Sequence, residues 1–270
     1  MQNPFDFTDK NVFVAGGTSG INLGIARLFA EQGARVAVLS RSQDKVDAAV
    51  RQLQDKGADS LGYSADVRDY AAVEAALQQC HAAWGALDVV VSGAAGNFPV
   101  MAKDLSPNGF KTVVDIDLLG TFHVNKAAYP LLRRPGGNIV NISAPQAFIP
   151  MELQVHVCAA KAGVDMVTKV LAQEWGPEGL RVNSVVPGPI DNTEGMDRLA
   201  PTPEIKAAII ESVPAKRMGE TDDVARAVLY LASPAADYVS GTVLPADGGW
   251  HLSGAHAAML ESARLFRAQV

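Results

Sequence analysis

The glycines of "GGTSGINLG", Gly16 to Gly24, are the residues whose type and spacing carry the clearest chemistry. They follow the apolar run Asn11 to Ala15 and lead into an apolar-periodic segment, so strand, tight turn and helix succeed one another. Glycines let a backbone approach a pyrophosphate, and the free amides and positive dipole of a helix start favour its charge. Gly16, Thr18, Ser19, Gly20 and Ile21 are the expected contacts. A purely structural turn uses glycine too; the position after the first strand favours the nucleotide. The ribose of NAD is gripped by a carboxylate about 20 residues further on. Here that place reads "LSRS", Leu39 to Ser42, with no carboxylate. Arg41 can instead meet a 2′-phosphate bidentately, with Ser40 and Ser42 as donors, which makes NADP(H) the expected cofactor. An arginine simply solvated at a helix start is the competing reading.

These residues need a scaffold that delivers strand ends to one edge. Short β-branched runs at Asn11 to Ala15, Arg35 to Leu39, Val89 to Ser92, Asn138 to Ile142, Val182 to Val186 and Thr242 to Leu244 alternate with helical patterns. The helices are expected at Gly20 to Gln32, Gln43 to Lys56, Tyr70 to Trp84, Pro107 to Leu132, His156 to Trp175 and Asp222 to Leu231. Largely apolar strands separated by amphipathic helices imply an α/β, doubly wound (Rossmann) parallel sheet covered on both faces. Ligands of such sheets sit beyond the carboxyl ends of the strands. No repeat or linker interrupts the chain, so residues 1–270 read as a single domain. Pro187 and Pro189 end a strand, and residues 187–210 form an excursion that reads either as a small lid over the site or as a surface connection with two short helices.

Composition narrows the function classes. A chain of 270 residues, 48% hydrophobic and 19% charged, can bury a sizeable core. A net charge of −6 disfavours nucleic-acid and anionic-membrane partners. Two cysteines, Cys80 and Cys158, match a reduced compartment and give no metal-ligand spacing. Met1 to Lys10 does not read as a signal segment, and Ala268-Gln269-Val270 is not a peroxisomal address, so a cytoplasmic protein is expected.

With "AGGTSGINLG", "ADVRD" at Ala65 to Asp69, "SGAAG" at Ser92 to Gly96, Lys161, "VNSVVPGPI" at Val182 to Ile190 and "ADGGW" at Ala246 to Trp250, nearly the whole chain resembles the short-chain dehydrogenase/reductases. The resemblance implies that Asp66 and Val67 contact adenine. The segment after Ser92, Ala94 included, would back the nicotinamide ribose. Pro187, Gly188, Ile190 and Thr193 would hold the nicotinamide end, and Lys161 would anchor the cofactor. The sequence also departs from the family pattern: Asn22 replaces a glycine of the turn, Val157 stands at the tyrosine position, Ala144 at the serine position and Asp117 at the asparagine position. Valine cannot exchange a proton, which disfavours ordinary alcohol or ketone chemistry.

A narrower resemblance, carried by "GAAGNF" at Gly93 to Phe98, "FKTVVDIDLLGTF" at Phe110 to Phe122, "AAKAGVDMVTKVLAQEWGP" at Ala159 to Pro177 and "PGPIDNTEGMDRL" at Pro187 to Leu199, is to 2,4-dienoyl-CoA reductases of the peroxisomal type. It implies hydride delivery from NADPH to a 2,4-dienoyl-CoA or related enoyl thioester and protonation at the α-carbon to a 3-enoyl-CoA, a step of fatty acid metabolism. The proton would come from water held by acidic residues, Asp117 first and Asp247 second. Asp247 lies in an "ADGG" turn and could serve turn geometry alone. Gln146 occupies the place from which the mitochondrial type supplies a tyrosine. For the acyl-CoA thioester, Arg41, Arg68 and Arg198 are the phosphate candidates, and Phe98, Ser106 and Asn108 would line the entrance. His156 and Cys158 read more simply as structural residues. A catalytically silent NADP-binding scaffold and a carbonyl reductase with a displaced acid are the other readings. The apolar helices at Pro107 to Leu132 and His156 to Trp175 suggest a homo-oligomer, a tetramer by resemblance.

Overall fold

A computed structural model describes residues 3–252. Seven parallel strands form one sheet in the order β3-β2-β1-β4-β5-β6-β7. They are β1 (Asn11–Ala15), β2 (Arg35–Ser40), β3 (Ser60–Ser64), β4 (Val89–Ser92), β5 (Asn138–Ile142), β6 (Arg181–Pro187) and β7 (Val243–Ala246). Successive side chains of a strand face opposite sides, and the core divides accordingly. Val12, Val14, Val36 and Val38 pack into one layer, whereas Phe13, Ala15, Ala37 and Leu39 pack into the other.

The first layer is covered by α1 (Gly20–Glu31), α2 (Gln43–Gln54) and α9 (Thr221–Ala232) through Ile25, Phe29, Leu53, Val224 and Val228. The second is covered by α3 (Tyr70–Trp84), α5 (Gly120–Ala128) and α6 (Val155–Trp175) through Val73, Leu77, Val124 and Leu171. The sheet is thus buried on both faces, which is why its central strands read as unbroken apolar runs. Gly24 belongs to this packing: a Cβ there would lie 2.5 Å from the Thr221 side chain, so it lets α1 and α9 approach closely.

Two expectations need correction. Strand β3 was not foreseen from the sequence, because Ser60-Leu-Gly-Tyr-Ser64 is an edge strand with only intermittent apolar residues, and its Gly62 makes room for Val46 and Val50 of α2. The single helix expected over Pro107 to Leu132 is instead α4 (Pro107–Val113), a π-helical stretch Val114–Leu119, α5, and a short 3-10 turn Tyr129–Leu131. The excursion at 187–210 carries α7 (Glu194–Leu199), followed by α8 (Pro203–Ser212). Thr193 and Thr202 cap these helices by accepting hydrogen bonds from Met196 and Ile205 backbone amides. Among the described residues, no helix is long and apolar enough to cross a membrane. The terminal Ala268-Gln269-Val270 lies outside the described residues.

Candidate active site

Strand order reverses between β1 and β4, and the crevice beyond their carboxyl ends is where a doubly wound sheet takes its ligand. A cavity of about 720 Å³ opens there. At one end the turn after β1 presents Gly16, Thr18, Ser19, Gly20 and Ile21. Gly16 has φ +81° and a Cβ on it would sit 2.8 Å from the Ala94 nitrogen, so only glycine fits. Ser19 caps α1 without a side-chain hydrogen bond, which leaves helix-start amides for an anion. Ser40, Arg41, Ser42 and Lys45 line the wall after β2. Asp66 and Val67 follow β3, and Ala94 follows β4. Asp66 is held by Arg68, whose Nε and Nη2 donate to its carboxylate at 3.0 and 2.6 Å, and the arginine's hydrogen bonds draw its pKa below the usual carboxylate range.

The other end is built from β5, α6 and the π-helical stretch. π turns recur at functional sites because they re-aim a side chain, and this one carries Asp117, 1% exposed, into the cavity. Its Oδ1 accepts from the Gly96 amide at 2.7 Å and its Oδ2 lies 3.4 Å from the Lys161 ammonium. Lys161, one turn above Val157 on α6, donates to the Ile142 carbonyl at 2.9 Å. Burial pushes the Asp117 carboxyl above the ordinary carboxylate range, and Lys161 only partly offsets this. Val157 and Ala144 line the same wall and offer no proton. His156 is fully buried, its ring 4.6 Å from that of Phe98, and loss of solvent lowers its pKa.

The remaining wall is the segment after β6. Pro187, Gly188, Ile190, Thr193 and Arg198 line the cavity. Arg198 donates to the Asn97 carbonyl at 3.3 Å and is paired with Glu194, which ties α7 to the loop after β4. Trp250 lines the cavity and donates to Ser212 of α8 at 2.9 Å.

The cavity thus gathers Gly16, Thr18, Ser19, Gly20, Ile21, Arg41, Ser42, Asp66, Val67, Ala94, Asp117, Lys161, Pro187, Gly188, Ile190, Thr193 and Arg198. It does not gather Asp247. That carboxylate is spent on the turn, accepting from the Gly249 and His251 amides at 2.9 and 2.8 Å and pairing with the His251 ring at 2.7 Å, beside a separate pocket. Arg68, Phe98, Ser106 and Asn108 also lie off the cavity lining. Ser106 caps α4 by accepting from Gly109, and Phe98 packs against that glycine. Sequence reasoning missed Lys45, Met196, Leu199 and Trp250 as lining residues. A signal existed for Lys45, a second cation one helical turn beyond Arg41; the apolar three are indistinguishable from core residues in sequence.

Comparison with known proteins gives the family. The family model described as enoyl-(acyl carrier protein) reductase matches residues 15–251. A (3E)-enoyl-CoA-producing peroxisomal 2,4-dienoyl-CoA reductase of Rattus norvegicus is 47% identical over 244 residues, 89% of this chain and 83% of that protein. The corresponding protein of Saccharomyces cerevisiae is 42% identical over 91% of this chain and 86% of its own length. Among solved structures, a short chain dehydrogenase from Bacillus anthracis is 36% identical with a TM-score of 0.81, over 90% of this chain and 97% of that one. The chain is therefore an oxidoreductase that belongs to the short-chain dehydrogenase/reductase family, on the branch that resembles the 2,4-dienoyl-CoA reductases.

Proposed function

We propose that the protein reduces a 2,4-dienoyl-CoA, or a related enoyl thioester, to a 3-enoyl-CoA with NADPH. The observation that carries the reading is a buried acid, Asp117, beside a buried cation, Lys161, in a cavity whose tyrosine and serine positions hold Val157 and Ala144. The residues present fit the cofactor. Arg41, Lys45, Ser40 and Ser42 suit a 2′-phosphate, and the turn Gly16 to Ile21 suits a pyrophosphate. Bound NADPH supplies the hydride for the distal carbon of the diene.

The chain's own residues do the rest. A conjugated thioester that gains electrons at its far carbon spreads negative charge to the thioester oxygen. Lys161, fixed on the Ile142 carbonyl, supplies positive charge at that end of the cavity. Asp117 in its acid form, favoured by burial, gives a proton to the α-carbon through a water. Val157 exchanges no proton, so a ketone would find no donor where the family keeps its tyrosine. Exposed Leu119 and Phe122, with Met166 and Val170 of α6, support a homo-oligomer built on these helices.

The test is NADPH consumption with 2,4-hexadienoyl-CoA, with identification of the product double bond. The expected result is a 3-enoyl thioester and little turnover of a 3-oxoacyl thioester. Cofactor binding without turnover would leave a silent NADP-binding scaffold, and turnover of the 3-oxoacyl thioester a carbonyl reductase.

A further inference from the structure

We propose that Asn22 and Gly93 are a coupled pair that clips the two lips of the dinucleotide cleft, which makes Asn22 a cofactor-positioning residue in place of the turn's usual glycine. The inference rests on the dinucleotide reading of the cavity. Asn22 stands on the first turn of α1 and Gly93 directly after β4, on the two sides of the crevice where strand order reverses, and both line the cavity. The Asn22 Nδ2 donates to the Gly93 carbonyl at 2.7 Å. The Gly93 amide donates to the Ala15 carbonyl at 3.1 Å, so residue 93 is bonded on both sides to the unit that carries the turn.

Space makes the pair interdependent. A Cβ on Gly93 would lie 2.1 Å from the Asn22 Oδ1 and 2.5 Å from its Cγ. Gly93 is not among the glycines with positive φ, so its lack of a side chain answers a demand for room and not for conformation. The Asn22 carboxamide fills the volume that a side chain at 93 would take. It also sits 3.2 Å from where a Gly16 Cβ would project, and the Ala94 nitrogen is 2.8 Å from that same point. Asn22 therefore packs at the junction of Gly16, Gly93 and Ala94, all of which line the cleft. One volume can be filled from either lip: by a side chain at 22 with glycine at 93, or by glycine at 22 with a small side chain at 93.

The experiment is a double-mutant cycle on the full chain, reading NADPH Kd by fluorescence titration and Tm in parallel. N22G removes one hydrogen bond and is expected to raise Kd about three- to tenfold. G93A drives a methyl group into the carboxamide and is expected to raise Kd by about fivefold to a hundredfold. N22G/G93A is expected to return to within about threefold of the unsubstituted protein, a coupling that independent sites do not show. Additive losses in the double variant would overturn the pair. A coupled change in Tm with unchanged NADPH affinity would overturn the positioning role. If G93A alone does not fold, the double variant decides: soluble and cofactor-binding supports the pair, insoluble overturns it. Failure of the unsubstituted protein to bind NADPH would overturn the dinucleotide reading itself, a different outcome from binding with additive losses.

Discussion

The two ends of the cavity are built in different ways. The end proposed for the dinucleotide is made by backbone: a turn that only glycine can form at Gly16, helix-start amides at Ser19, and strand ends that put Arg41, Asp66 and Ala94 on one edge. The end proposed for the acyl group is made by side chains delivered from irregular segments, the π stretch that aims Asp117 and the excursion that brings Met196, Arg198 and Leu199. A backbone-made site keeps its amides and dipole when one side chain changes, so such a change weakens binding without removing the site. A site made of one buried acid and one buried cation depends on both, since each sets the electrostatic surroundings of the other.

The largest effect that follows is on Asp117. D117N should lower kcat with a dienoyl thioester by about 100- to 10,000-fold, the range of a lost general acid, while NADPH affinity stays nearly unchanged. The pH profile gives the sign. In the proposed role the competent form is the protonated acid, and burial raises its pKa, so the rate should fall as pH rises through that raised value, above the ordinary carboxylate range. The D117N variant should lose that limb. An unaltered profile in D117N would remove Asp117 from the proton path. Next comes Arg41 at the backbone-made end. R41A should raise the Kd of NADPH by about ten- to a hundredfold through loss of charged hydrogen bonds, and leave NADH affinity unchanged. Equal losses for both cofactors would show that Arg41 does not read the 2′-phosphate.

The same contrast explains what was legible in the sequence. The fold was, because the central strands are buried on both faces and their β-branched runs alternate with helical periods; the edge strand Ser60–Ser64, exposed at its end and half polar, and the breaks in the helix expected over Pro107 to Leu132 escaped. That the glycine turn and Arg41 share one cavity was legible for a related reason, since a glycine turn after a strand and a basic residue after the next are tied to backbone geometry. Asp117 and Lys161 were reached by resemblance, and the structure brings them within 3.4 Å through a π stretch that no periodicity announces. Phe98, Ser106 and Asn108 were placed by analogy with the family, and the packing of Phe98 on His156 and the capping role of Ser106 set them off the cavity lining. Asp247 was read two ways, and its oxygens are committed to the turn.

That commitment gives a smaller prediction outside the cavity. D247N should cost about 1–3 kcal/mol of stability, seen as a lower Tm, because a charged acceptor of the Gly249 and His251 amides is lost. Activity per folded molecule should change little. A large fall in kcat at unchanged Tm would instead give Asp247 a part in proton delivery and bring it level with Asp117.

The smallest effect should be at Arg68, which forms a surface ion pair with Asp66 beside the proposed dinucleotide end. Its guanidinium is bidentate on Asp66, but the two side chains are 42% and 29% exposed, so solvent screens most of the interaction. R68A should therefore cost no more than about 1 kcal/mol in stability. Its clearer signature is in titration. Asp66 has its pKa lowered chiefly by the arginine's hydrogen bond, so the pair stabilises the fold at pH values above the ordinary carboxylate pKa and loses that contribution as pH falls through the lowered one. In R68A the Asp66 carboxyl should titrate closer to its ordinary value by NMR, and the stability gap between the two proteins should close at acid pH. A gap that persists there would mean that Arg68 acts through packing and not through its charge.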